Sequence, residues 1–109
     1  MIPKRYDVHW VTLDPGRGSE LRKTRPAVIV SLDLLNRALE TVVVCPLTTQ
    51  LHPAWRSRVA VKIAGKPAEI AADQIRAISK SRLGRKIGVL SARDAAALRR
   101  LFGEMYADG

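Results

Sequence analysis

The sequence predicts a mainly β fold, a small barrel or strongly bent sheet carrying one C-terminal helix, on three observations. Short runs rich in Val, Ile and Thr recur along the chain, separated by Gly, Pro, Asp and Lys turn signals. From Ser91 onward the apolar period lengthens from two residues to three and four. Only five residues are aromatic, so Val, Leu, Ile and Ala must fill the interior, a core that suits strands with a small helical cap. At 109 residues the chain suits one domain, residues 1–109, and its 47% hydrophobic content is enough to offset chain entropy in a compact unit.

The first strand is read over 7–13, DVHWVTL, where β-branched and aromatic residues run up to the turn signal Asp14-Pro15-Gly16. PAVIVS (26–31) is nearly continuous in apolar residues, the mark of a strand buried on both faces, and Pro26 fits only at its start. Ser31 is placed to cap a short helical turn through LDLLN, after which TVVVCPL (41–47) resumes the strand pattern. SRVAVKI (57–63) alternates, with Val59, Val61 and Ile63 toward the core and Arg58, Ala60 and Lys62 toward water. AGKP (64–67) makes a turn into 68–78, read as a strand with a bend or bulge near Asp73. SKSRLGRK (79–86) reads as a basic loop before a short strand, IGVL (87–90). Ser91 then caps an amphipathic helix with Asp94 at its third position, and Ala95, Leu98, Leu101, Phe102, Met105 and Tyr106 form the apolar stripe, with Arg99 and Arg100 facing away from it.

Charge is the most informative bulk property. Nineteen Lys and Arg oppose ten Asp and Glu, a net charge of +9. Residues 54–90 hold nine cations against two acids, whereas 91–109 balance three against three. A field of this size favours a polyanionic partner, although simple solubilisation would produce the same count. The single cysteine, Cys45, lies in an apolar run as a small hydrophobe and fits a reducing cytoplasm, and no window approaches the ~18 continuous apolar residues of a membrane span.

Several chemistries lose their support in the residues. One cysteine and two distant histidines, His9 and His52, lack zinc-ligand spacing, and Glu20, Glu69 and Asp73 are a thin set for magnesium, so neither a metal nor a cofactor is expected. GRGSE lacks the Gly-Lys-Ser/Thr ending of a phosphate-binding P-loop, and Ser19 is not framed as a nucleophile elbow. What remains is the loop PGRGSELRKTRP. There Arg25 is held by the rigid Pro26 beside it, and a guanidinium matches phosphate bidentately at every accessible pH. LTTQ (47–50) adds hydroxyls and an amide at a strand end. On pattern alone an Arg25–Glu20 surface pair and ordinary strand-end capping by Thr48 and Thr49 remain open.

In order and spacing, VTLDPGRGSELRKTRPAVIVS, VVVCPLTTQ and ADQIRAISKSRLGRKIGVLS resemble the MazF/PemK toxins of toxin–antitoxin modules over nearly the whole chain. The resemblance implies an SH3-like small β-barrel of the kind shared by MazF, PemK and CcdB, assembled as a homodimer. It implies a metal-independent endoribonuclease that cuts single-stranded RNA through the ribose 2′-hydroxyl and is neutralised by a cognate acidic antitoxin. By carry-over, Arg25 binds the scissile phosphate and Thr48 orients it, while Ser19, Glu20, Thr49, Gln50, Asp73 and Gln74 line the RNA groove. Members that use a histidine before the glutamate and an arginine two places before the Asp-Gln pair differ here, where Ser19 and Ala71 stand, so catalysis falls to Arg25 and Thr48. The basic run with Lys80, Arg82, Arg85 and Lys86 would follow the RNA backbone or attract the antitoxin. The competing expectations are a non-catalytic nucleic-acid-binding barrel and a gyrase-inhibiting toxin of the same fold.

Overall fold

A computed structural model describes residues 2–13, 18, 20–21 and 23–107. Among the described residues, seven strands and two helices follow one another as β1 (Asp7–Thr12), β2 (Thr24–Ile29), α1 (Asp33–Ala38), β3 (Thr41–Thr48), β4 (Arg58–Ile63), β5 (Lys66–Ala71), β6 (Arg76–Ser79), β7 (Leu83–Val89) and α2 (Ala92–Tyr106). The sheet order is β4-β5-β3-β2-β1-β7, and β6 pairs with β3. Every pairing is antiparallel.

β3 organises the sheet. One edge binds β2, while the other is shared along its length, β6 beside Thr41–Val44 and β5 beside Leu47 and Thr48. The chain passes from β5 to β6 through a 3-10 turn at Ala72–Gln74 and both strands pair with β3, so the bend expected near Asp73 interrupts one long segment that keeps β3 as its neighbour. β4 and β5 meet through a two-residue turn in which Ala64 and Gly65 both have positive φ, 52° and 77°, the geometry whose twist suits a tight hairpin. The two ends of the path, β4 and β7, face each other across a gap of about 250 Å³ bordered by Lys62–Ala64 and Ile87–Leu90, which leaves the curled sheet a half-barrel.

Alternation along β2 and β3 divides the interior in two. Val8, Val28, Cys45, Leu47 and Ile70 face α2, which packs Ala95, Leu98 and Leu101 onto them. Val11, Ala27, Ile29, Val42, Val44 and Ile78 form a second cluster on the opposite face, joined by Leu13 and Leu21 from the opening loop. Strands buried on both faces explain why 26–31 and 41–47 read as unbroken apolar runs. Burial pushes the Cys45 thiol up to about 12, and the Asp73 carboxylate acts in the same direction.

Four local expectations change. The basic stretch 79–86 is not a loop throughout, because after a turn at Lys80–Arg82 strand β7 begins at Leu83 and pairs with β1 as a sheet edge, where cations are tolerated. Ser31 does not cap α1. Its hydroxyl bonds the buried Asn36 side chain at 2.5 Å and accepts the Val43 N–H at 3.0 Å, tying α1 to β3. Tyr106 is 61% exposed at the C-terminal end of α2, whereas Ser91 caps the helix as read, accepting from the Asp94 N–H at 3.1 Å. Arg58, assigned to a wet strand face, is almost wholly covered, with 7% of its side chain exposed. Among the described residues no helix is long and apolar enough to cross a membrane.

Candidate active site

Strand register assembles the site. β2 pairs with β3 as Ala27↔Pro46, Val28↔Cys45 and Ile29↔Val44, and continuing that register by two residues sets Arg25 opposite Thr48. On the far side of β3, Thr48 pairs with Glu69 of β5. Directly opposed residues in antiparallel strands point to the same face, so Arg25, Thr48 and Glu69 form a row across three strands. The row continues the face of the Ala27–Ile29–Val44 cluster, which Leu13 and Leu21 of the opening loop also join.

That loop is tied down where the chain is described. The Leu13 N–H donates to the Lys23 carbonyl at 3.0 Å, Leu21 N–H to Gln74 Oε1 at 3.3 Å, and Arg76 Nη2 to the Leu13 carbonyl at 2.9 Å. Gln74 thus holds the loop beside the turn that carries Asp73. Lys23, two residues before Arg25, is held at φ 68°, a left-handed conformation that a non-glycine residue adopts only when its surroundings impose it. Arg25 is half-buried and Glu20 is exposed. Ser19 lies outside the described residues.

Thr48 is 3% exposed, and its Oγ1 accepts the Gln50 N–H at 3.1 Å, which leaves the hydroxyl proton to donate elsewhere. Thr49 and Gln50 are exposed beyond it. The same strand ends border a cleft of about 320 Å³ to which Lys23, Arg25, Thr48 and Thr49 contribute and to which the β4–β5 hairpin adds Lys66. Its apolar wall, Leu47, Ile63 and Ala68, belongs to the α2-facing side, so the cleft wraps around the strand ends.

The sequence reading missed a buried ionic corner next to the row. Arg58 Nη1 lies 3.3 Å from Glu69 Oε1 and its Nε donates to Asp73 Oδ1 at 3.1 Å. Glu69, 4% exposed, also accepts the His52 N–H at 3.0 Å. The Arg58 guanidinium lies 4.7 Å over the Trp55 ring, which stacks on His52 with centroids 3.8 Å apart. One signal was available: a glutamate inside the apolar run AEIAA needs a partner. The other histidine, His9, is buried between β1 and β7 with Nδ1 3.0 Å from the Gly84 carbonyl. Among the described residues no three or more His, Cys, Asp and Glu side chains gather as metal ligands.

Residues 4–106 match the family model of the PemK-like, MazF-like toxin of type II toxin–antitoxin systems. The chain belongs to this family. The PemK/MazF-like chain is 34% identical over 104 residues to endoribonuclease MazF9 of Mycobacterium tuberculosis, covering 87% of itself and 88% of that protein. It is 37% identical over 93 residues to endoribonuclease EndoA of Bacillus subtilis, covering 80% and 79%. The crystal structure of MazF from Deinococcus radiodurans superposes with a TM-score of 0.82 over 96% of each chain at 22% identity, a likeness of fold. The toxin family therefore accounts for the curled antiparallel sheet and its terminal helix.

Proposed function

We propose that this chain is an endoribonuclease toxin that cleaves single-stranded RNA by attack of a ribose 2′-hydroxyl on the adjacent phosphate, without a metal ion. The products are a 2′,3′-cyclic phosphate and a 5′-hydroxyl. The observation that carries the reading is the cleft that Arg25 and Thr48 line together, in a chain whose curated relatives are named endoribonucleases.

With the nucleophile inside the substrate, the protein has to align the sugar and phosphate, move protons, and stabilise the charge that gathers on the phosphoryl oxygens. Arg25 meets the last requirement with a planar fork that bonds two phosphate oxygens and strengthens its hold as negative charge develops. The buried Thr48 hydroxyl, fixed from behind by the Gln50 N–H, donates its proton to a phosphoryl oxygen and sets the orientation of the group. Glu20, Thr49, Gln50, Asp73 and Gln74 line the groove and hydrogen-bond to the nucleotides flanking the cut, with Ser19 beside them in sequence. Unpaired bases offer their edges to such side chains, which a duplex does not.

The reading includes two partners. The cationic stretch 54–90 suits an acidic antitoxin as well as RNA. A homodimer is supported by exposed Leu32, Leu34, Leu35 and Leu39 around α1, a concentration of apolar side chains that a second subunit would cover. The test is incubation of the purified protein with end-labelled single-stranded RNAs, with and without EDTA. Discrete EDTA-resistant cuts that leave cyclic-phosphate ends are expected. Intact RNA across a varied panel would overturn the proposal.

A further inference from the structure

Arg58 engages three backbone segments at once. Its Nε holds Asp73 at the β5–β6 turn, and its Nη1 reaches Glu69 on β5 and lies 3.5 Å from the Gln50 carbonyl at the end of β3. Its guanidinium faces the Trp55 ring, which with His52 belongs to the connection between β3 and β4. Glu69 completes the corner by accepting from the His52 backbone. Gln50 and Asp73, the two groove residues that this corner joins, are both exposed at its surface.

We propose that Arg58 is a positioning residue that sets the base selectivity of the RNA groove, by fixing Asp73 and the Gln50 segment relative to each other. The proposal rests on the ribonuclease reading above. With Oδ1 held by Arg58, the orientation of the exposed Asp73 carboxylate is set, which leaves its other oxygen as an acceptor suited to an amino or imino N–H on a base edge. Discrimination between bases depends on such groups being held in place, because a loose acceptor adapts to the wrong edge. Arg58 is suited to this work and lysine is not: a rigid fork holds two carboxylates while stacking on an indole, whereas an ammonium is a compact point charge. Arg58 reaches Thr48 only at second hand, through Gln50, whose carbonyl lies 3.5 Å from Nη1 and whose N–H bonds Thr48 Oγ1, so a change at Arg58 should disturb selection more than the chemical step.

The experiment compares wild type, Arg58→Lys, Trp55→Ala, Asp73→Asn and the Arg58→Lys/Asp73→Asn double variant. For each, kcat and KM are measured on the RNA that wild type cuts best and on its single-base variants, with thermal melts to establish folding. In Arg58→Lys the ratio of kcat/KM between the best RNA and its nearest competitor should fall roughly tenfold, the size of one lost base contact, while kcat on the best RNA stays within about threefold. Asp73→Asn should lower the same ratio, and the double variant should lower it no further than the larger single change, because both act through one contact. Trp55→Ala removes the stacked face of the corner without stranding a buried charge, and should reduce selectivity in the same direction. A folded Arg58→Lys or, if that variant does not fold, a folded Trp55→Ala that keeps the wild-type ratio overturns the proposal. So does an equal fall in kcat on every RNA, which is what a merely structural role would produce. Failure of wild type itself to cut any RNA overturns the ribonuclease reading, and the proposal with it.

Discussion

Two arginines on one face of the sheet, Arg25 and Arg58, are put to opposite uses. Arg25 stands half-buried at the start of β2, where the strand ends open into a cleft. Arg58 is folded inward, 7% exposed, between two carboxylates and an indole. The difference lies in where each cation sits: beside a cleft at the strand ends, and in a corner formed by Glu69, Asp73 and Trp55. Charge on a strand therefore does not identify a ligand site until its neighbours are known.

Four substitutions probe this difference. The largest effect is expected from Arg58→Met, which leaves Glu69 buried without its counter-charge and should cost about 3–5 kcal/mol in urea denaturation, with much of that loss recovered in Arg58→Met/Glu69→Met. Arg25→Ala should lower kcat/KM for RNA cleavage by about 10²–10³, as removal of a transition-state donor does, while changing unfolding free energy by no more than about 1 kcal/mol. If Arg25→Ala unfolds the protein and Arg58→Met does not, the assignment of the two roles is reversed. Thr48→Val keeps the shape but removes the hydroxyl proton, and should cost roughly tenfold in kcat/KM.

The smallest effect concerns Cys45. Its folded value of about 12 lies above the ordinary 9.0, so the folded state holds the thiol proton where the unfolded chain has released it. The stability this provides is fully present below about pH 9 and is lost as pH rises toward 12. Unfolding free energies of wild type and Cys45→Ala at pH 8 and pH 10 should converge or cross in the direction of a relatively weaker wild type at the higher pH. A constant difference would show that Cys45 is not held protonated.

What could be read in advance follows from how local each feature is. β2 and β3 declare themselves because burial on both faces makes them apolar without interruption, and the α2 stripe because its spacing is internal to one segment. The second half of β7 was legible as IGVL, but its first half was not, since an edge segment carrying Arg85 and Lys86 has the composition of a loop, and its pairing with β1 is a long-range fact. The same distinction runs through the site. Arg25 is flagged by its proline, and Thr48 and the Asp73-Gln74 pair by their motifs. Arg58 and Glu69 meet because the turn at Ala64–Gly65 sets Ala60 opposite Glu69 and Arg58 opposite Ala71, a register from which neither side chain alone reveals its partner.

The central claim is that the Arg25–Thr48 row serves a nucleophile supplied by the RNA. The most direct measurement places a single 2′-deoxynucleotide on the 5′ side of the bond that wild type cuts, in an otherwise unchanged RNA, and follows both binding and cleavage. The account predicts that this strand is bound as tightly as the parent and is not cut at that bond. Cleavage there at the parental rate would contradict it, since the attacking hydroxyl would then have to come from water or from the protein.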